Sequence, residues 1–254
     1  MWYNGPEHGQ KGNTNGMASM RLDKLLAGTG LVSRKEAGVL VKKGAVTVDG
    51  TVAKSADLHV DPETQTVTVN GSPLQYKEHV YLMMNKPEGY VSATDDPGPY
   101  VVSLLPPQYQ RIGVFPCGRL DKNTVGLLIL TDDGTLSHRL LSPARHVDKE
   151  YLVRTKFPFS KEDESVLEAG VDLETGVHTL PCEVDIRGEK ELVIRIREGK
   201  YHQIKLMLRA VHNQVTRLER ISFAGIPLDP SLSRGEFREL TADEIASLRK
   251  QAGG

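Results

Sequence analysis

The segment FPCGRLDKNTVGLLILTDDG, residues 115–134, packs an arginine, an aspartate and a lysine (Arg119, Asp121, Lys122) between glycines and ahead of a dense apolar run. Asp121 followed by Asn123 and Thr124 fits a capped turn, because aspartate side chains readily hydrogen-bond nearby backbone. The same residues fit a nucleophile. Gly118 and Gly126 let the backbone bend tightly on either side. Arg119, with Lys205 if the fold brings it near, would keep the carboxylate ionised by charge pairing. An ionised, partly desolvated carboxylate is a credible nucleophile. Tyr151 begins an apolar stretch, and there it is either a half-buried aromatic of a strand or a flat face on which one nucleobase stacks. His202, Gln203 and Lys205 open an amphipathic helix, either as a solvated helix start or as part of the same site. Asp132-Asp133-Gly134 reads as a hairpin turn rather than a metal site, since one adjacent acid pair without further ligands is a poor cage.

Such residues need a scaffold, and from Val80 onward the chain is strand-rich. VYLMMNKP, IGVFP, GLLILT, EYLVRT, CEVDI and ELVIRIRE read as strands, while IKLMLRAVHN and TADEIASLRK read as helices. This balance predicts an α+β domain over residues 80–250, built around a largely antiparallel or mixed sheet. Residues 20–76 read as a separate small helix-helix-hairpin domain. Leu22, Leu25 and Leu26 repeat at helical spacing until Gly28 and Gly30 end the turn, and Ser33 with Glu36 forms a capping box for a second helix that stops at Gly44. Asp49-Gly50 and Asn70-Gly71 are two-residue hairpin signals, and LQYKEH looks like the linker. Arg21, Lys24, Arg34, Lys35, Lys42 and Lys43 surround these helices, with Ser33 at a helix start. Cations and free backbone N–H groups together suit phosphates. Residues 1–19, rich in Gly and Asn without periodicity, read as a disordered leader or tag.

A chain of 254 residues with 39% hydrophobic and 26% charged residues can bury a sizeable core. No apolar run approaches the roughly 20 residues that cross a bilayer, and the N-terminus lacks a secretory layout, so a cytoplasmic protein without membrane contact is expected. Cys117 and Cys182 form no closely spaced metal pair and are expected to be reduced. The eight histidines show no HExxH spacing, and no GxGxxG or P-loop pattern occurs. No metal and no cofactor are therefore expected. The net charge of -1 hides a segregation: residues 20–54 carry seven Lys/Arg against three acids, 195–220 seven against two, and 161–191 three against ten. Two basic segments offset by an acidic one suit a protein that presents one face to a polyanion.

The motifs are more specific together than apart. GRLDKNTVGLLILTDDG resembles the signature of the pseudouridine synthases, NKPEGYV their upstream segment, KEYLV their tyrosine segment and EGKYHQIKLM their downstream basic segment, all in the family's order. MRLDKLL, GLVSRKEA and GAVTVDG are similar to the RNA-binding module named after ribosomal protein S-four, so the resemblance covers residues 20 to about 250. Within the family, YVSATDDP, HRLLSPARHVDKEYLV and FAGIPLDPSLSRGEFRELTADEI most resemble the branch acting on small-subunit ribosomal RNA. Large-subunit relatives with the same domain pair are close competitors.

By that resemblance, Asp121 occupies the position of the nucleophilic aspartate, and Arg119 that of a residue holding the target nucleotide flipped out. Tyr151 matches the tyrosine that stacks on the uracil and helps move the proton from C5. Lys205 matches the basic residue that pairs with the aspartate, and Ile204 the apolar residue beside the base. Relatives often carry a second basic residue where this chain has Leu206, and Arg209 is the candidate to compensate. Lys200, His202, Gln203 and Arg209 join the N-terminal cations as expected RNA contacts. The implied activity is isomerisation of one uridine to pseudouridine in ribosomal RNA, without a cofactor. The expected partner is that RNA or a ribosomal subunit assembly intermediate, bound by a monomer. A non-catalytic RNA-binding assembly factor on the same scaffold is the alternative from another class. A methyltransferase with the same RNA-binding module is a third, and it would need the glycine-rich cofactor loop that this sequence lacks.

Overall fold

The computed structural model describes residues 19–253, and residues 1–18 of the expected leader lie outside the described residues. The chain divides into two compact units between Lys77 and Glu78, inside the LQYKEH stretch.

The first unit contains β1 (Met20–Arg21), α1 (Leu22–Gly28), α2 (Arg34–Lys42), β2 (Val46–Val48), β3 (Thr51–Val52), β4 (His59–Val60), β5 (Val67–Val69) and β6 (Ser72–Pro73). The capping box forms as the sequence predicts: Ser33 Oγ accepts from the Glu36 N–H while the Glu36 carboxylate accepts from the Ser33 N–H. Asp49 and Gly50, then Asn70 and Gly71, all take positive φ and turn β2 into β3 and β5 into β6. That is the backbone geometry a two-residue hairpin demands. Leu22, Leu25 and Leu26 bury against Ala37, Val41, Val46 and Val67.

The second unit contains β7 (Tyr81–Lys86), α3 (Pro107–Ile112), β8 (Phe115–Pro116), β9 (Thr124–Thr131), α4 (Gly134–Leu141), β10 (Lys149–Thr155), α5 (Lys161–Ala169), β11 (Glu183–Gly188), β12 (Glu191–Ile196), α6 (Gln203–Ala210), β13 (Val215–Phe223), β14 (Ile226–Pro227), β15 (Phe237–Glu239) and α7 (Ala242–Gln251). One sheet runs β11-β12-β10-β13-β9-β7-β15, with β8 beside β9 and β14 beside β13. Its neighbours pair antiparallel except β13 and β9, which are parallel, so the sheet is mixed as expected.

Both β7 and β9 are buried along their whole length. Because side chains alternate across a strand, Leu82, Met84, Leu128 and Leu130 enter one core, and Tyr81, Met83, Leu127 and Ile129 enter another. Leu167 of α5 and Ile204, Met207 and Leu208 of α6 cover the first core. Leu136 and Leu140 of α4 and Leu248 of α7 cover the second. Burial on both faces explains the nearly continuous apolar runs that mark these strands in the sequence.

After β9 the structure departs from the sequence expectation. Asp132-Asp133-Gly134 is not a hairpin: Asp133 caps α4 by accepting from the Leu136 N–H at 2.9 Å, and Asp132 accepts from the Val80 N–H at 2.7 Å. A strand that is followed by a helix needs an N-cap rather than a primed turn.

The parallel junction imposes a strict requirement at Gly126. Its φ is 99°, and a Cβ there would lie 2.3 Å from the Arg220 carbonyl oxygen and 2.9 Å from its nitrogen. We expect Gly126→Ala to lower the unfolding free energy by about 3 kcal/mol, from backbone strain plus displacement of β13. Urea denaturation measures this directly. A loss below about 1 kcal/mol would mean that the junction accommodates a side chain.

Candidate active site

Residues 117–123 leave β8, loop past the end of β9, and carry Asp121 at the loop's apex. Gly118 has φ 85°, and Gly126 supplies the close approach just inside β9. Asp121 Oδ2 accepts from Lys205 Nζ at 2.5 Å, and His202 Nε2 lies 3.6 Å from Asp121 Oδ1. Lys205 stands on the first turn of α6, which begins after His202 takes a left-handed φ of 50°. The carboxylate therefore faces the end of a helix where its charge is favoured. The Asp121 and Lys205 side chains are 30% and 28% exposed. A pair that wet stabilises the fold by about 1 kcal/mol or less, so its main effect is to aim the carboxylate.

Asp121 lines a cavity of about 90 Å³ with Thr124, Tyr151, Ile204, Lys205 and Leu218. Tyr151, on β10 opposite Arg220 of β13, is 7% exposed and presents its ring to this space. Ile204 is buried as an apolar wall. Arg119, Lys200, His202 and Gln203 also line the cavity. Sequence reasoning thus named residues from three distant segments that the fold brings to one place.

Other expected residues lie elsewhere or have other duties. Gln203 is 4% exposed; its side-chain oxygen accepts from the Lys200 N–H and its amide donates to Glu198, so it holds the 198–200 turn. Arg209 pairs with Glu174 at 2.8 Å and is not among the cavity's lining residues. Arg21, Lys24, Ser33, Arg34, Lys35, Lys42 and Lys43 are exposed in the first unit, with Arg21 paired to Asp23 at 3.0 Å.

Three positioning residues were missed. Lys86 is completely buried, and its Nζ donates to the carbonyl oxygens of Thr124 (2.7 Å), Asp121 (3.1 Å), Pro87 (3.2 Å) and Lys122 (3.3 Å). Burial pushes its pKa down to about 8, an effect the Asp121 charge partly opposes. Ser92 Oγ donates to the Leu120 carbonyl and accepts from the Leu120 N–H, both at 3.0 Å. Thr124 Oγ1 is buried and has no hydrogen-bond partner among the described residues, and Thr124 lines the cavity. The only sequence signal for Lys86 was its place in NKPEGYV, at the end of an apolar strand.

Residues 80–210 match the family model described as RNA pseudouridylate synthase, and residues 20–66 match the S4 domain. The chain belongs to the RNA pseudouridylate synthase family. An uncharacterized RNA pseudouridine synthase of Bacillus subtilis is 52% identical over 91% of this chain and 99% of its own length. Proteins named ribosomal small subunit pseudouridine synthase A are 41% identical in Salmonella typhimurium and 40% in Escherichia coli, each over 90% of this chain and 100% of the relative. A solved pseudouridylate synthase structure matches with a TM-score of 0.64 at 35% identity, covering 91% of this chain and all of that one. The synthase thus pairs an S4 RNA-binding domain with a catalytic domain. Among its described residues, no group of three or more His, Cys, Asp or Glu is placed to hold a metal ion, and no helix is long and apolar enough to cross a membrane.

Lys86 can be tested apart from the reacting groups. In Lys86→Met the four carbonyls lose their shared donor, and we expect unfolding free energy to fall by about 2 kcal/mol and turnover by about tenfold or more. The native amine titrates near 8 against 10.5 for the ordinary value. Between those pH values the unfolded chain holds more protons, so the native state gains stability as pH rises. The stability gap between the parent synthase and Lys86→Met, measured by urea denaturation, should widen from pH 8 to 10.5. A flat gap would contradict a desolvated ammonium.

Proposed function

We propose that this synthase isomerises one uridine of small-subunit ribosomal RNA to pseudouridine, with Asp121 as nucleophile acting on a flipped-out base. The carrying observation is the Asp121–Lys205 pair at 2.5 Å in a cavity walled by Tyr151 and Ile204. The reaction breaks the N1–C1′ bond, turns the uracil, joins C5 to C1′, and moves a proton from C5 while N1 gains one. No electrons are exchanged and no group is donated. Asp121 attacks C6 of the base or C1′ of the sugar, or assists loss of a C2′ proton. Lys205 pairs with the carboxylate and aims it, Tyr151 offers a stacking face, and Ile204 packs against the base edge. Lifting the base costs a few kcal/mol. Arg119 at the cavity, Lys200 and His202 beside it, and the exposed cations of the S4 domain offset that cost by gripping phosphates.

Full-length similarity to proteins named for the small ribosomal subunit favours that RNA as substrate. The synthase acts as a cytoplasmic monomer on the RNA or on an assembly intermediate. Asp121→Asn should reduce conversion by at least about 10³-fold, read as tritium released from [5-³H]uridine-labelled ribosomal RNA. Conversion within tenfold of the parent would assign the nucleophile elsewhere. Mapping pseudouridine in cells with and without the synthase should show one small-subunit site lost; a loss confined to the large subunit would reassign the substrate.

A further inference from the structure

A second cavity, of about 480 Å³, adjoins the Asp121 cavity and shares Arg119, Tyr151 and Lys200 with it. Its size is that of a small-molecule site rather than of a packing defect. Lys149, Arg197 and Arg220 also line it, so five cations face one carboxylate, that of Glu198. Glu198 is already engaged by Lys200 Nζ and Gln203 Nε2, both at 2.7 Å, and Arg197 is neutralised by Asp148 at 2.9 Å. Lys149 and Arg220 have no such carboxylate among the described residues.

Those two side chains are placed against ordinary packing logic. Arg220 is 2% exposed; its Nε donates to the Leu127 carbonyl at 2.7 Å, and its Nη2 is buried with no partner among the described residues. Among the described residues Lys149 Nζ donates only to the Val147 carbonyl, at 2.8 Å. Both cations lie near the same Phe223 ring, at 5.9 Å for Lys149 and 5.2 Å for Arg220. Burial and the Arg220 charge push the Lys149 amine down to about 8. A buried guanidinium with a half-buried ammonium beside it is unfavourable unless an anion joins them. Their position in the sheet indicates which anion. Arg220 pairs with Tyr151 across β10 and β13, and Lys149 lies two residues before Tyr151 on β10. An anion held there sits beside the tyrosine that faces the Asp121 cavity.

We propose that this second cavity seats the phosphodiester of a nucleotide adjoining the target uridine, held between Lys149 and Arg220. The proposal rests on RNA being the substrate, but the site itself is read from charge and burial. It makes Lys149 and Arg220 substrate-positioning residues whose unpaired charges are tolerated for binding.

Lys149→Met tests this, with Lys149→Arg as the conservative partner. Without phosphate, Lys149→Met should melt higher than the parent synthase, since it loses a half-buried unpaired charge beside the buried Arg220. A lower melting temperature would assign Lys149 to the scaffold and overturn the proposal. Inorganic phosphate, compared with chloride at equal ionic strength, should raise the melting temperature of the parent and of Lys149→Arg but not of Lys149→Met. No phosphate-specific rise in the parent would also overturn it. In the Asp121→Asn background, where RNA binds without turnover, Lys149→Met should weaken affinity for a single-stranded ribosomal RNA fragment about tenfold. It should also flatten the salt dependence by about 0.7 in log-log slope, as expected for one lost phosphate contact. Phosphate stabilisation with unchanged RNA affinity would mark a free-anion site and sink the RNA assignment. If these binding results hold while the unmutated synthase converts no uridine, the enzymatic reading alone fails.

Discussion

An ammonium ion removed from water must find oxygen atoms in the protein or surrender its proton, and Lys86 meets that demand with four main-chain carbonyls. Three of these belong to Asp121, Lys122 and Thr124, so satisfying the lysine bends the loop in the shape that presents the aspartate. Ser92 adds a two-way clamp on Leu120, and the Thr124 N–H donates to the Asp121 carbonyl at 3.0 Å. The carboxylate is therefore held by its backbone as well as by Lys205. Donors and charges fixed before substrate arrives cost no reorganisation during the reaction, which is where a preorganised site gains over water.

The same demand extends into the sheet. Gly126, two residues after the last carbonyl that Lys86 binds, lets β13 approach β9 in the single parallel pairing of the sheet. On its other edge β13 pairs with β10, where Arg220 lies opposite Tyr151, and so a buried guanidinium stands beside the residue that walls the site. Loop, junction and cation form one connected arrangement, in which each close approach depends on a residue type that cannot be exchanged freely.

Much of this was legible in sequence, and the gaps have physical reasons. Local patterns reported faithfully: the Ser33–Glu36 capping box and the Asp49-Gly50 and Asn70-Gly71 turns depend on near neighbours alone. Asp121, Tyr151 and Lys205 were read together because their motifs resemble a known family, although no local pattern says that they meet. The nine-residue β13 was missed because VTRLERISF mixes charges into its apolar alternation, and its buried Arg220 breaks the rule that long charged side chains face water. Helix α4 was missed because its capping Asp133 and first residue Gly134 were read as a hairpin turn, and α5 was not read either. Lys86 was invisible for a related reason: a lysine ending an apolar strand resembles a strand terminus in solvent, and only the fold supplies the carbonyls that bury it.

The closest contact of the site also fixes when the site can exist. Asp121 and Lys205 are separated by 84 positions, and β9 finds its parallel neighbour only when residues 218–220 are in place. During synthesis, the loop and its tyrosine emerge long before the lysine that orients the carboxylate. β15, which pairs with β7 beside Lys86, emerges later still. Contacts this distant along the chain are slow to form. The Asp121–Lys205 contact therefore forms only after α6 has emerged and folded back against the loop.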